Sequence, residues 1–186
     1  MDKTLFPNKI WLWKITWHGP EGYATIYEND RLSLVKTSDG LHYDLVTRLR
    51  CDSMPNETAL LFGPNDELYL LVRREIGGAT GVWGESRPPY TEWEWNDLGI
   101  RLGGPNLCAL PDGSILIGSR EVQKEPHCGL YGLDGSKRAE LLLRLPSGGD
   151  CSYPGFVVRG NTLWISYYSS HEGHAAIYLA TVRLDR

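Results

Sequence analysis

The sequence lacks several features that would define a function by themselves. Its 186 residues contain 19 basic and 23 acidic side chains, which give a net charge of −4, and the lysines and arginines form no cluster. Because affinity for nucleic acids depends on the neutralisation of phosphates by basic side chains, this balance argues against DNA or RNA binding. We therefore expect no nucleic-acid partner.

Long apolar runs are also missing. No run approaches the roughly 20 residues of a membrane-spanning helix, and the first residues, MDKTLFPNK, lack the apolar stretch of a signal peptide. The sequence as given therefore predicts a soluble chain with no membrane partner and no export signal. By default this places the chain in the cytoplasm.

Cysteine is scarce, and the four cysteines stand far apart, at Cys51, Cys108, Cys128 and Cys151. They form no CxxC pair and have no nearby histidine at ligand spacing, which argues against zinc. Reduced thiols are the favoured interpretation, although an even number would permit two disulfides in a secreted protein. We expect no metal and no other cofactor.

Residues typical of short strands and tight turns are abundant instead. The chain has 21 glycines, 11 prolines, 7 tryptophans and 10 tyrosines beside only 2 methionines. Aromatic residues favour strands, whereas glycine and proline punctuate turns. This composition predicts an all-β protein.

Short apolar or alternating runs divide the chain into four similar segments. We predict strands at 11–17, 23–28, 32–37, 43–49, 57–62, 67–74, 80–85, 91–95, 106–110, 114–120, 128–133, 139–145, 153–158, 162–168 and 174–183. The first strands align at Trp13, Glu57, Pro105 and Tyr153, which are separated by 44, 48 and 48 residues. Four-stranded antiparallel units at this period are the signature of a β-propeller. We predict one propeller unit over 1–186, with blades at about 11–49, 57–95, 106–145 and 153–183.

Turn motifs lie where the blades need them. Ser38-Asp39-Gly40-Leu41-His42-Tyr43 is a degenerate Asp-box between the third and fourth strands of the first segment. Pro64-Asn65-Asp66 and Pro111-Asp112-Gly113 separate the first two strands of their segments, as hairpin chemistry requires.

The fourth segment has only three predicted strands, which leaves two ways to complete the propeller. Residues 3–9 could add the missing outer strand and close a four-bladed ring. Alternatively, the chain is part of a six-bladed ring. The periodicity fits both arrangements.

Polar and aromatic side chains collect at one edge of the predicted blades. In an antiparallel hairpin, the start of the first strand and the end of the second strand lie at the same edge. This edge carries Glu57, Arg73 or Arg74, Arg120, Asp150, Tyr153, Tyr168 and the loop Ser169–Gly173 with His171. Arginines that bind carboxylates bidentately favour an acidic sugar as ligand.

The order Asn56-Glu57, Arg73, Arg120 and Ser152-Tyr153 resembles the C-terminal half of six-bladed sialidase (neuraminidase)-like propellers, which are glycoside hydrolases with Asp-box (BNR) repeats. The resemblance implies that Tyr153 is the catalytic nucleophile and that Glu57 takes its proton. It also implies that Arg73 and Arg120 bind the carboxylate of sialic acid. A neutral phenol suits this attack, because a carboxylate nucleophile would be repelled by the charge on the substrate.

Asp150, Tyr168 and His171 complete the predicted substrate-binding set. The first arginine and the acid/base aspartate of the sialidase pattern come from earlier blades, which this sequence does not match. The resemblance therefore implies an incomplete active site in this chain. A longer gene product, another chain or self-association would supply the rest.

Simpler interpretations of the same residues remain open. Glu57 could cap a turn, Arg73 and Arg120 could pair with Glu75 and Glu121, and Tyr153 could pack in the core. For His171 and His174, turn chemistry is favoured over a metal site. At the level of function, the alternatives are a non-catalytic carbohydrate-binding propeller and a protein-interaction scaffold.

Overall fold

Strands make up nearly all of the regular secondary structure in the described residues. The structure, a computed structural model, describes residues 10–122 and 125–184. In these residues the only helical element is a single 3₁₀ turn, Ile76–Gly78. No helix in the described ranges is long and apolar enough to cross a membrane.

Within residues 10–122 and 125–184, fifteen strands make up four antiparallel sheets. They are β1 Trp11–His18, β2 Glu21–Glu28, β3 Arg31–Thr37, β4 Asp44–Leu49, β5 Pro55–Phe62, β6 Leu68–Arg74, β7 Val82–Ser86, β8 Glu94–Asp97, β9 Asn106–Ala109, β10 Ile115–Glu121, β11 His127–Leu133, β12 Ala139–Arg144, β13 Cys151–Arg159, β14 Thr162–Ser169 and β15 Ala176–Arg183.

Each sheet pairs its strands in sequence order, as the blade of a propeller does. Blade 1 is β1–β4, blade 2 is β5–β8, blade 3 is β9–β12 and blade 4 is β13–β15. The predicted fold class, an all-β chain of propeller blades, is confirmed, and so are three blades of four strands and one of three.

Most strand boundaries agree with the predicted ones within two residues, and the largest displacement is at β8. It was predicted to begin at Thr91 but begins at Glu94. Ser86 Oγ donates to the Glu92 carbonyl at 2.5 Å, and Trp93 Nε1 donates to the Tyr90 carbonyl at 3.0 Å. These bonds hold the segment before β8 in a loop.

The predicted turns lie between the expected strands. At the first of them, Asp39 Oδ1 accepts the backbone N–H groups of Leu41 and His42, both at 2.8 Å. The side chain of His42 also contacts Asp39, and these hydrogen bonds hold the pKa of the Asp39 carboxyl well below its usual range. Gly40 has a φ of 74°, which favours glycine. Thr37 Oγ1 accepts the backbone N–H of Gly40 at 2.9 Å, so local hydrogen bonds hold the turn between β3 and β4.

The chain divides into two compact units. The first unit ends at Asn96 and the second begins at Asp97. Each has its own apolar core: the first is built around residues such as Leu34 and Leu70, the second around residues such as Leu163 and Ile165, and all four are fully buried. The single unit over 1–186 stays a prediction.

The two predicted ways to complete the propeller also stay predictions. Residues 3–9, the proposed outer strand, lie outside the described residues. Within the described part of the chain, β15 pairs with β14 on one side and forms the last strand of blade 4.

Candidate functional site

A bulge at the start of β5 positions the predicted glutamate. Pro55 pairs with Arg74 and Thr58 pairs with Val72, so Asn56 and Glu57 together oppose the single residue Arg73. The extra residue shifts the strand and turns the Glu57 side chain toward Arg73. Glu57 Oε2 accepts a hydrogen bond from Arg73 Nη1 at 2.7 Å.

Arg73 also pairs with Glu75 through Nη2, and Glu75 accepts a hydrogen bond from Asn56 at 3.2 Å. Its guanidinium therefore lies between two carboxylates. Arg74 bonds elsewhere, to Asp52 at 2.8 Å and to the carbonyl of Thr80 at 2.7 Å. Of the two candidate arginines, Arg73 is the one beside Glu57. The ion pair of Arg73 with Glu75, the simpler interpretation of this arginine, is present together with its bond to Glu57.

Lys14 is a member of this cluster that the sequence interpretation missed. It lies in a bulge of β1, between Trp13 and Thr16, with a φ of 29°. Desolvation lowers the pKa of the Lys14 ammonium, and the nearby Glu57 carboxylate partly offsets this effect. Lys14 directly follows Trp13, which aligns with Glu57 as the start of a first strand. This position could have indicated from the sequence that Lys14 lies near the predicted edge. We call Lys14, Asn56, Glu57, Arg73 and Glu75 the Glu57 cluster.

A second group, in the second unit, contains four of the predicted residues. Arg120 Nη1 donates to Asp150 Oδ1 at 2.6 Å, and the hydroxyl of Tyr168 donates to the same oxygen at 2.8 Å. The ring of Tyr153 stacks on that of Tyr168, with centroids 6.1 Å apart and an interplanar angle of 29°. We call Arg120, Asp150, Tyr153 and Tyr168 the Arg120 cluster.

The alternative that Arg120 pairs with Glu121 is wrong, because Arg120 pairs with Asp150. Glu121 instead lies 3.1 Å from His127 Nε2. Asp150 uses only Oδ1 for its hydrogen bonds, and Arg120 uses only Nη1 of its two terminal nitrogens, so far as the structure describes the chain. Asp150 Oδ2, an acceptor, and Arg120 Nη2, a donor, therefore lie next to each other without a described hydrogen-bond partner.

Tyr153 is exposed and its backbone is strained. Its relative accessibility is 42%, so core packing does not describe it. A bulge in β13 between Ser152 and Gly155 places Tyr153 and Pro154 opposite the single residue Tyr167, and Tyr153 has a φ of 51°. Tyrosine rarely adopts this conformation, and backbone strain of this kind is found more often near functional sites than elsewhere.

Two glycines, which the sequence interpretation also missed, form the floor beneath the Arg120 cluster. The Gly103 carbonyl accepts hydrogen bonds from the backbone N–H of Arg120 at 2.9 Å and from Ser152 Oγ at 2.6 Å. A Cβ atom on Gly103 would lie 2.9 Å from Arg120 Nε, and one on Gly104 would lie 2.1 Å from Ser152 Oγ and 2.8 Å from the Tyr153 ring. These positions accommodate only glycine without movement.

His171 lies on the loop that follows β14, outside this cluster. Its Nδ1 is 2.8 Å from Ser169 Oγ, and its ring lies against Tyr178 with centroids 4.8 Å apart. In the described residues it makes no hydrogen bond to the Arg120 cluster. No group of three metal-ligating side chains occurs in these residues either.

Glu57 and Tyr153 belong to different units, so their predicted partnership as base and nucleophile stays a prediction. Each unit brings its own predicted residues together: Glu57 with Arg73 in the first, and Arg120 with Asp150, Tyr153 and Tyr168 in the second.

The environment of Tyr168 leads to a testable pH dependence. Burial and the hydrogen bond to Asp150 raise the pKa of Tyr168 from 10.0 to about 12. The protonated phenol makes this bond, so its contribution to stability is complete below about pH 10 and is lost as the pH rises toward 12.

The measurement is tyrosinate absorbance against pH for the parent, Tyr168→Phe and Asp150→Asn. The absorbance of the parent minus that of Tyr168→Phe reports Tyr168 alone and should rise near pH 12. In Asp150→Asn the ionisation of Tyr168 should occur at a lower pH. An unchanged step in Asp150→Asn would contradict the assigned hydrogen bond.

No protein-family model and no curated protein matches this sequence. Solved structures do match, among them structures of glycoside hydrolases and of a protein of unknown function. A protein of unknown function from Dyadobacter fermentans superposes with a TM-score of 0.81 at 18% identity, over 93% of this chain and 53% of that protein. The chain thus spans about half of that structure.

Two further structures are those of a GH43 protein and of a xylosidase. GH43B of the Bacteroides ovatus xyloglucan PUL has a TM-score of 0.65 at 14% identity, covering 91% of this chain and 38% of its own. A xylan β-1,4-xylosidase from Bacillus halodurans has a TM-score of 0.60 at 11% identity, covering 91% and 39%. At these identities the likeness shows the fold. It does not support the sialidase assignment.

Proposed function

We propose that the chain is part of a glycoside hydrolase-like β-propeller and that it binds carbohydrate at the Arg120 cluster. The observation that carries the proposal is the exposed Tyr153 ring, stacked on Tyr168 beside the Arg120–Asp150 pair. Aromatic faces pack against the C–H groups of sugar rings, while the polar pair recognises hydroxyl groups.

The polar pair fits two neighbouring hydroxyls. Asp150 Oδ2 accepts a hydrogen bond from one hydroxyl, and Arg120 Nη2 donates to the other. Neither atom has a hydrogen-bond partner among the described residues, whereas Oδ1 and Nη1 hold each other at 2.6 Å. That internal bond fixes the spacing of the two groups before a ligand arrives, which lowers the cost of binding.

An acidic sugar is a second candidate ligand, favoured by Arg120 Nη2. A guanidinium binds carboxylates more strongly than hydroxyls. The Asp150 carboxylate opposes this ligand, because it already occupies Nη1 and repels a second negative charge. The two ligand classes therefore respond in opposite ways to a change at Asp150.

Asp150→Asn separates these ligands. The variant removes a negative charge and keeps a similar shape, so affinity for an acidic sugar should rise and affinity for a matched neutral sugar should fall, each by about three- to tenfold. Calorimetric titration with glucuronic acid and with xylose, each as its methyl glycoside, measures both. Asp44→Asn, an exposed carboxylate in β4, is the control for loss of charge. Identical binding of both sugars to Asp150→Asn and to the parent would contradict a ligand at this pair.

Catalysis with Tyr153 as nucleophile and Glu57 as its base is a further proposal. The strained backbone of Tyr153 favours it. The bond from Arg73 to Glu57 weighs against it, because Glu57 Oε2 is already an occupied acceptor. Binding without turnover is therefore the function that the geometry supports best.

Fluorogenic glycosides, including a sialoside, test this catalytic proposal. Release of the fluorophore that disappears in Tyr153→Phe would support a nucleophile. Release that persists in Tyr153→Phe, or no release from the parent, would leave Tyr153 as a binding residue.

A further inference from the structure

We propose a second carbohydrate site, in the first unit, that takes an oligosaccharide bearing a uronic acid. It is a groove between β4 and the segment that leads into β8, with a volume of about 440 Å³. We call it the Trp93 groove, and its main lining residues are Arg48, Arg50, Thr91, Glu92, Trp93 and Trp95.

The floor of the groove is an aromatic platform. The rings of Trp93 and Trp95 stack with centroids 5.5 Å apart and an interplanar angle of 24°. Both side chains are half-buried against the core of the first unit, so each keeps part of its ring at the surface. The exposed part of the paired indoles offers the apolar contact that a pyranose ring requires.

The platform is held in place by its neighbours. Trp93 Nε1 donates to the Tyr90 carbonyl at 3.0 Å, which fixes the orientation of that indole. Trp95 lies directly over the backbone of β7, where a Cβ on Gly84 would come within 2.5 Å of its ring. Two rings that are fixed before binding lose little conformational entropy when a ligand stacks on them.

Two arginines supply the charge. Arg48 and Arg50 are exposed, and neither guanidinium group has a hydrogen-bond or ion-pair partner in residues 10–122 and 125–184. Arg73 and Arg74, by contrast, each pair with a carboxylate. Glu92 is the one acidic side chain that lines the groove, so the groove is positive overall although the whole protein is negative.

This combination selects the ligand class. Guanidinium groups bind carboxylates bidentately, and indoles pack against sugar rings, so a uronic acid within a glycan satisfies both at once. A neutral glycan would leave both arginines without a partner. The groove and the Arg120 cluster belong to different units, so the inference does not depend on the proposed function of that cluster.

The probes are a xylotriose that carries one glucuronic acid and unsubstituted xylotriose. Calorimetric titration should use Arg120→Ala as the parent protein, since that change removes the main polar contact of the other proposed site. The acidic probe should bind, and tryptophan emission should change during the titration. Binding should weaken with added salt, because the contact is between exposed charges.

The decisive variant adds Arg48→Gln and Arg50→Gln to that parent. Affinity for the acidic probe should fall about tenfold to a hundredfold, which is the usual value of one or two charged hydrogen bonds, and the small affinity for the neutral probe should not change. Arg159→Gln, at an exposed position in β13, is the matched control and should leave both unchanged.

Three results would overturn the inference: no binding of the acidic probe at millimolar concentration, equal binding of both probes, or full affinity after both arginines are replaced. A fourth measurement guards against misfolding. Far-ultraviolet circular dichroism of the double arginine variant should match that of the parent, since both side chains are exposed and lack described partners. If the spectra match and affinity persists, the groove is not the site. The proposed function of the Arg120 cluster is tested independently. It would be contradicted if Arg120→Ala bound a neutral sugar as well as the unmodified protein does.

Discussion

Gly104→Ala should lower the free energy of unfolding by about 3 kcal/mol or more, because two unfavourable terms add. Gly104 has a φ of 53°, which is costly for alanine. In addition, the new Cβ would lie 2.1 Å from Ser152 Oγ and 2.8 Å from the Tyr153 ring. Either the backbone or both neighbours must move. We therefore expect sugar binding at the Arg120 cluster to be lost together with stability.

Gly113→Ala is the matched control. Gly113 has a φ of 86°, but a Cβ there would meet nothing within 4 Å. This variant isolates the backbone cost, which is about 1 to 2 kcal/mol. Urea denaturation of both variants gives the comparison. Ala109→Gly, at an exposed position in β9, measures the same pair of residues in an ordinary strand conformation. Equal destabilisation by Gly104→Ala and Gly113→Ala would show that the floor of the cluster yields easily, contrary to its assigned rigidity.

Arg120→Ala should reduce affinity for a sugar at the Arg120 cluster by about tenfold to a hundredfold. The change removes the donor Nη2 and also releases Asp150, whose position depends on the bond to Nη1 at 2.6 Å. Asp150 is mostly exposed, with 69% of its side chain accessible, so it becomes hydrated and the loss of folding stability from its release should be small.

Calorimetric titration of the parent and of Arg120→Ala with the same methyl glycosides measures the effect. Arg159→Ala serves as the control for the loss of an exposed arginine from the second unit. Affinity for the methyl xyloside that is equal in the parent and Arg120→Ala would show that the arginine only supports the fold, and would favour the protein-interaction scaffold.

The strands could be predicted from sequence because their signals are local. Alternating apolar residues and turn residues such as Asp39-Gly40 act within a few positions, and they locate the blades well. The start of β8 was misplaced because it depends on bonds between Ser86, Glu92 and neighbouring residues, which the pattern of hydrophobicity does not record.

The site was predicted in part for a similar reason. Strand register places Glu57 beside Arg73, and the same argument places Arg120 and Tyr168 at one edge. The bulges in β1, β5 and β13 are invisible in the pattern, because each inserts one extra residue without a characteristic composition. This is why the role of Lys14 was missed and why the choice between Arg73 and Arg74 needed coordinates.

The glycine floor beneath the Arg120 cluster limits how the specificity of this protein can be redesigned. A combinatorial library that varies residues around the proposed sugar site should keep Gly103 and Gly104 constant, since any side chain there displaces Arg120, Ser152 or Tyr153. Diversity is better introduced at Asp150 and in the exposed loop after β14. New ligand preferences should therefore arise from the rim of the cluster, while its base tolerates no variation.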